Sequence, residues 1–189
     1  MQIKKENVPS GIVIWQGKNT EVAQGGFTLD DAAFTTENEV IPAGTPIGFN
    51  ESSRVAKVAK LAVAQAVATD AATDIKIKKN SLIKVGMTIK SGASEGKEIT
   101  AIDKTNADYD LVSVEATLGV AIATGDAIFV DDAGYTGVKG LLYEDAIIDS
   151  NGTTDVAVVL RGTVYANRIT PVPATIQAKL PLIIFSQSF

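Results

Sequence analysis

The sequence contains neither cysteine nor histidine. Without thiols it can form no disulfide, so cysteine usage says nothing about the redox compartment. The thiolate and imidazole ligands typical of zinc and other transition-metal sites are also missing. A cysteine nucleophile, a serine–histidine pair and a histidine base are excluded as catalytic groups. Among the common catalytic side chains, carboxylates remain.

Aromatic residues make up only 6% of the 189 residues, and the 17 basic residues are scattered within a net charge of −5. A nucleic-acid surface needs a basic stripe with interleaved aromatics, and none is present. No apolar run approaches the roughly 20 residues of a membrane span. Met1–Asn7 lacks the apolar core of a secretory signal. We therefore expect neither a nucleic-acid nor a membrane partner.

Large hydrophobic residues are also modest in number, because much of the 46% apolar content is alanine. The length suits one domain with an arm or a small second lobe. A thin core of this kind is often completed by contacts between copies of the chain. The composition therefore favours a protein that self-associates.

The segment Ile75–Val130 carries the clearest pattern in the chain. Its short runs are rich in isoleucine and valine, end at Gly, Asn or Asp, and alternate apolar with polar residues. Ile75 and Ile77 would share one face of a strand, and Lys76 and Lys78 the other. Turns recur every 10 to 15 residues, a spacing typical of all-β folds. The sequence predicts a mainly β protein, either a small β-barrel or a β-sandwich.

We predict that the whole chain divides into an extended N-terminal arm, residues 1–39, and a β-rich domain, residues 40–189. Val156–Tyr165 is the most apolar strand candidate and is expected to be central, while Asp131–Gly137 is expected to be a loop. Pro173–Leu180 predicts a short C-terminal helix, since proline is tolerated at a helix start. Leu182–Phe185 predicts a terminal strand.

Val55–Thr69 is ambiguous. Its alanine content favours a helix, and Val55, Val58 and Leu61 fit one helical face. From Leu61 onward, larger residues alternate strictly with alanines, which is a period of two. We predict a strand from about Leu61 and keep a helix as the alternative.

Acidic residues occur in pairs at Asp30–Asp31, Asp108/Asp110 and Asp131–Asp132. Carboxylates could bind calcium, but none of these pairs has the spacing of a calcium loop. Asp, Asn and Gly are also the residues that turns prefer. Four further acids are available on paper for carboxylate catalysis: Glu98, Asp103, Glu115 and Asp126. We assign no metal ligand, cofactor-binding residue or catalytic residue.

Arg161 and Arg168 flank the strand segment Gly162–Tyr165. An arginine in an apolar strand is unusual, because an unpaired buried charge is costly. Arg161 would either face outward at a sheet edge or pair with a carboxylate of a neighbouring subunit, since arginine suits interface pairing. Both interpretations stay open.

Four stretches of the chain together carry a resemblance. Ile41–Gly48 is similar to the opening of the fold in one group, the capsid decoration proteins of tailed bacteriophages. Leu82–Ile89 is similar to its Phe/Leu-x-Val-Gly-Asp motif, with Met87 in place of the acid. Ala157–Tyr165 and Pro181–Phe185 look like the close of head fibre proteins from Bacteroides phages and prophages.

The resemblance implies a structural virion protein that is made in the host cytoplasm and lies on the outer surface of the phage head. Members of the group are commonly trimers, so it implies a homotrimer that binds the major capsid protein, with the N-terminal arm along the shell. It implies no enzyme activity and no cofactor. Five residues are candidates for the oligomer or capsid interface: Trp15, Phe27, Arg161, Arg168 and Phe185.

The alternative function is a bacterial surface adhesin or a carbohydrate-binding module. Such a protein would stack sugars on exposed aromatic residues, for which Trp15, Tyr109 and Tyr135 are candidates. The low aromatic content and the absence of a secretion signal count against it.

Overall fold

The fold was obtained as a computed structural model, which describes residues 12–17, 19–30, 34, 39–130, 132–149 and 153–188. The protein is mainly β, as the sequence predicts. Its strands are β1 Glu21–Val22, β2 Phe27–Leu29, β3 Val40–Ile41, β4 Pro46–Asn50, β5 Val55–Val58, β6 Leu61–Val63, β7 Asp74–Ile77, β8 Thr88–Ile89, β9 Lys97–Asp103, β10 Asp110–Val114, β11 Ala127–Phe129, β12 Gly140–Leu142, β13 Ala146–Ile147, β14 Asp155–Val156, β15 Val158–Tyr165 and β16 Ile183–Ser186. Its helices are α1 Asp132–Thr136 and α2 Ala174–Gln177, with a 3-10 turn at Ala166–Arg168.

Six antiparallel strands form a closed ring in the order β7–β10–β9–β8–β11–β6. Two single bridges complete it. Lys90, just after β8, exchanges backbone hydrogen bonds of 2.8 and 3.0 Å with Phe129 of β11. Ala64, just after β6, pairs with Ile77 of β7. Closure removes the exposed strand edges of this region, and the small β-barrel expected from the sequence is present.

The interior of this barrel is filled by the residues that the period-two pattern assigns to one face. Ile75 and Ile77 are buried, while Lys76 and Lys78 are exposed. Ile99 of β9 and Val112 of β10 complete the same core. Burial of such side chains stabilises a fold by about 1.5–3 kcal/mol each.

Strands β6 and β11 form a wall between two cores. Ala62 and Ile128 face the barrel interior, whereas Leu61 and Phe129 face a second core. The strand prediction for this region is confirmed and the helical alternative is wrong. Alternating faces give both cores their side chains, and this tertiary burial overrides the helix propensity of alanine.

Eight of the remaining strands build a sheet in the order β1–β15–β12–β4–β5–β2–β14, with β16 added beside β15. The other two, β3 and β13, pair with each other as a separate two-stranded sheet. Only Ala157 separates β14 from β15, so a nearly continuous segment supplies strands near both ends of the sheet. The sheet therefore curls around a third core that includes Ile47, Leu142 and Val158. The predicted strand Val156–Tyr165 is split: β15 pairs with β1, β12 and β16, whereas Val156 belongs to β14 at the end of the sheet.

The expected separation of residues 1–39 as an arm is wrong for the part that the structure describes. β1 and β2 belong to the eight-stranded sheet, and Leu29 is buried in its core. Alternation across Phe27–Leu29 is too short to stand out as a strand signal, because the polar residues after it dominate. Residues 1–11 lie outside the described residues.

Near the C-terminus the predictions hold better. The short helix α2 lies within the predicted helix Pro173–Leu180. Strand β16 begins and ends one residue later than the predicted strand Leu182–Phe185. Within the predicted loop Asp131–Gly137, the structure places the one-turn helix α1 at Asp132–Thr136. There, Tyr135 stacks on Phe129 with ring centroids 4.3 Å apart, and this contact favours a helical turn.

Candidate interaction surface

Strand β15 continues beyond the curled sheet as the centre of a three-stranded ribbon. On one side, Gln16 donates its backbone N–H to the carbonyl of Thr163 at 2.8 Å, and Tyr165 donates to Ile14 at 2.9 Å. On the other side, β16 runs parallel to β15. The N-terminal segment 12–16 and the C-terminal strand therefore lie on opposite edges of β15.

This ribbon brings four of the five predicted interface residues together. Trp15 pairs with Val164 from one side, and Phe185 pairs with it from the other. Both rings pack against the second core and are partly buried. The two arginines, Arg161 and Arg168, lie further along the same strand and just after it.

Arg161 is exposed on β15 and lies opposite Glu21 in register. Arg161 is therefore exposed, as the first interpretation expects, but it does not lie at a sheet edge, because β1 pairs with β15 there. Pairing with a neighbouring subunit stays a prediction. Arg168 is also exposed, but it is held in place. Its guanidinium donates to the Val13 carbonyl at 2.8 Å and lies 4.5 Å above the ring of Tyr165.

Phe27 does not belong to this surface. It is only 2% exposed and lies in the third core. Its ring is 4.5 Å from that of Phe49, and the guanidinium of Arg54 lies 4.3 Å from its ring centre. Phe27 therefore stabilises its own chain and cannot reach a partner without unfolding β2.

The outer edge of β16 is the feature that sequence reasoning missed. In the described part of the chain, β16 pairs with β15 alone. The side chains of Leu182 and Ile184 are 60% and 64% exposed. Because Leu182–Phe185 is apolar throughout, the sequence gives no alternation from which the exposed face could have been identified.

A solvent-open cleft of about 340 Å³ lies on the opposite edge of the ribbon, beside Trp15. Its walls include Tyr143, Glu144, Asp145 and Arg168. The indole N–H of Trp15 donates to the Tyr143 carbonyl at 2.7 Å, and the two rings are stacked with centroids 6.3 Å apart. Tyr143 was not singled out in the sequence, since its neighbours suggest only the end of a strand.

Three of the acidic residues considered for catalysis or ion binding accept hydrogen bonds from their own chain. Asp126 accepts the backbone N–H of Ala123 at 2.8 Å. Asp103 accepts that of Thr105 at 2.9 Å, and this bond together with the Thr105 hydroxyl lowers the pKa of Asp103. Asp110 accepts a hydrogen bond from the ammonium of Lys79. Asp31 and Asp131 lie outside the described residues.

The structure also bears on ion binding and on membrane spans. Within the described ranges, no group of three or more acidic side chains could hold a metal ion. Burial, the largest influence, lowers the pKa of Lys60, whose ammonium lies 4.2 Å from the ring centre of Phe34. No helix in the same ranges is both long and apolar enough to cross a bilayer.

No protein-family model, no curated protein and no solved structure matches this chain.

Proposed function

We propose that this protein is a structural virion component: a head fibre or capsid decoration protein, of the Bacteroides phage or prophage type, that binds the outer capsid surface as an oligomer. The resemblance of Ile41–Gly48, Leu82–Ile89 and Ala157–Tyr165 to that group supports the proposal. The observation that carries the self-association is the outer edge of β16, which no strand in the described part of the chain covers, together with the exposed Leu182 and Ile184.

An unpaired strand edge presents backbone N–H and C=O groups that another chain can use. Proteins usually protect such an edge with charges, proline or a covering loop. Here the exposed side chains are instead apolar: Leu182 just before β16, and Ile184 within it. Association that covers these side chains would remove apolar area from water. The free energy gained is about 25 cal/mol per Å² of buried apolar area.

The remaining features of the ribbon suit a specific contact. Arg161 is exposed on the neighbouring strand and has no ion pair with a described residue. A carboxylate of another copy or of the major capsid protein could pair with it, because the guanidinium binds carboxylates in a bidentate geometry. An apolar strip beside an arginine that no described residue pairs with gives both contact area and orientation.

A trimer requires a heterologous contact that closes on itself, in which one patch of each copy meets a different patch of the next. The edge of β16 would provide the first patch in every copy. A stable contact is expected to bury about 1,200 Å² or more, so residues around the strand must join it. The oligomer would then lie over the junctions of capsid subunits and stabilise the shell by mass action.

The self-association can be tested by size-exclusion chromatography with light scattering. The natural chain should elute with the mass of three copies. Ile184→Lys places a charge in the apolar strip and should shift the protein toward the monomer. Val67→Lys is the matched control, since Val67 is 73% exposed and lies outside β16. A monomeric natural chain, or equal behaviour of both variants, would contradict the contact.

Capsid binding is tested separately by co-sedimentation with purified phage heads that lack the protein. The natural chain should pellet with the heads in a saturable amount, and Ile184→Lys should pellet less. A trimer in solution that never binds heads would support the self-association and contradict the proposed role in the virion.

The second candidate function is an adhesin or a carbohydrate-binding module. Contacts within the chain reduce the number of aromatic residues that could stack on a sugar. The ammonium of Lys76 lies 4.7 Å from the ring centre of Tyr109. The ring of Tyr135 is stacked on Phe129, and its hydroxyl donates a hydrogen bond to the Thr175 hydroxyl. Trp15 is therefore the remaining candidate, and the cleft beside it is where a sugar would bind.

A further inference from the structure

We infer that the cleft beside Trp15 binds a neutral saccharide. At about 340 Å³, its volume lies within the range of small-molecule sites, about 300–1,000 Å³. It is built from segments far apart in the chain: the N-terminal residues 12–15, the turn at Pro42–Ala43, the end of β12 and Arg168. Such convergence of apolar walls with a few polar groups is typical of a ligand site.

The aromatic part of the cleft is pre-organised. The indole N–H of Trp15 is already bonded to the Tyr143 backbone, and the planes of the two rings differ by 19°. Two nearly parallel rings, held by a backbone hydrogen bond, form a surface whose orientation costs little to maintain. The apolar C–H faces of a sugar ring pack well on such a surface, and aromatic side chains contribute large contact area at low entropy cost.

The polar groups at the rim are of both hydrogen-bonding types. Glu144 is exposed and makes no hydrogen bond or ion pair with any described residue. The Tyr143 hydroxyl has no partner among the described residues either. Arg168 uses its bond to Val13 and keeps further donors, since a guanidinium has five N–H groups. Adjacent sugar hydroxyls donate and accept at once, so they match a carboxylate beside a guanidinium.

The charges at the rim select among possible ligands. Glu144 and Asp145 line the cleft together, and their negative charge opposes sulfated, phosphorylated or carboxylated sugars. Asp145 is fixed in place, because one carboxylate oxygen accepts the backbone N–H of Ala43 at 2.7 Å. Arg168 in turn opposes a quaternary ammonium ion, which the aromatic rings alone would attract. A neutral saccharide is the class that none of these groups repels.

This site is independent of the proposed contact between copies. The cleft lies on the edge of β15 that carries residues 12–16, and the apolar strip lies on the edge that carries β16. A saccharide could therefore be bound while β16 is covered. Failure of either proposal leaves the other standing.

The test uses the full chain, a printed array of neutral and acidic glycans, and tryptophan fluorescence. Trp15 is the single tryptophan of the sequence, so excitation of indole reports on this cleft alone. The array should give binding to neutral glycans. Titration with the strongest neutral oligosaccharide should then change the Trp15 emission in a saturable way.

The variants keep Trp15 as reporter. Tyr143→Ala should weaken the affinity by about tenfold or more, since it removes the stacked ring. Tyr143→Phe should keep most of the binding, and Glu144→Gln should weaken it modestly. Tyr109→Ala is the matched control at a distant aromatic residue and should change nothing. A thermal unfolding curve for each variant separates lost binding from lost folding.

Four outcomes would overturn the inference. The array could show no neutral glycan bound. Binding could occur without any change in Trp15 emission. Tyr143→Ala could bind as well as the natural chain while Tyr109→Ala does not. The cleft could prefer an acidic glycan, or choline added as a probe cation, over every neutral sugar.

Discussion

Asp110 is 3% exposed, and one of its carboxylate oxygens lies 2.7 Å from the ammonium nitrogen of Lys79. The pair joins the first residue of β10 to the turn that follows β7. Lys79 also donates to the backbone carbonyl of Lys104 at 3.0 Å. A buried carboxylate is costly unless it is paired, so this lysine stabilises the barrel end where it lies.

Lys79→Ala should therefore lower the free energy of unfolding by about 1–3 kcal/mol, because it leaves a buried charge without a partner. Urea unfolding followed by circular dichroism measures the change. Lys78→Ala is the control, since Lys78 is exposed, and should stay within about 0.5 kcal/mol. Adding Asp110→Asn to Lys79→Ala should recover part of the loss. Equal stability of the two lysine variants would show that the pair contributes nothing.

The burial of Asp110 was partly readable from the sequence. Burial along β10 follows the period of two, with Val112 and Val114 inward. Extending that period backward by one step places Asp110 inward as well. Its partner could not be read, since Lys79 lies 31 residues away and only the pairing of β10 with β7 brings the two together. From the sequence alone, Asp110 suggests only a turn residue or an ion ligand.

Gly140 on β12 faces β15 without room for a side chain. A Cβ at this position would clash with the Val159 carbonyl oxygen and would lie 2.6 Å from a methyl group of Val158. Backbone cannot move aside as a flexible side chain can. Gly140→Ala should therefore lower the free energy of unfolding by about 1–3 kcal/mol or more, as overpacking does, measured by urea unfolding.

Gly162→Ala is the matched control on β15. There a new Cβ would lie 3.2 Å from the Thr20 methyl group and at an ordinary 3.7 Å from the Thr20 Cα and a Val159 methyl group. Removing a glycine also reduces the freedom of the unfolded chain, which stabilises by about 0.4–1 kcal/mol where the conformation allows it. Gly162→Ala should be nearly neutral. A loss as large as that of Gly140→Ala would refute the argument from close approach.

The small residues on the barrel side of β6 set the spacing of the wall. Ala62 is 1% exposed inside the barrel. Ala62→Leu should destabilise the protein by about 1–3 kcal/mol, because added methylene groups have no space there. Ala101→Leu is the control on β9 of the same barrel, where the side chain is exposed. If the two leucine variants have the same thermal midpoint, the interior holds a void beside β6.

The fold was predictable where burial follows a local period and unpredictable where it depends on distant pairing. Alternation in Ile75–Ile77 identifies the strand and its inner face directly. Closure of the ring by Lys90 with Phe129 depends on residues 39 positions apart, and no local signal carries it. The same limit explains the candidate site. Trp15 and Phe185 were named separately, but only β15 makes them neighbours, while Phe27 resembled them in type and is buried in another core.

The carboxyl of Asp103 gives a prediction for pH. The backbone N–H of Thr105, and next its hydroxyl, bind the ionised form and lower the pKa of Asp103. The unfolded chain lacks these bonds and takes up its proton first on acidification. The contribution to stability is therefore complete above the unfolded pKa and is lost as the pH falls through the lower, folded pKa.

A carbon-detected NMR titration of the Asp103 carboxyl measures this directly. Its midpoint should lie below that of an aspartate in a model peptide, and the Thr105 amide proton should move with the same midpoint. Thr105→Ala keeps the backbone donor and removes the hydroxyl, so the pKa should rise only part of the way. Asp103→Asn should abolish the acid-dependent shift of the Thr105 amide. An unshifted midpoint, or a Thr105 amide that ignores the titration, would show that the turn does not bind the ionised carboxylate in solution.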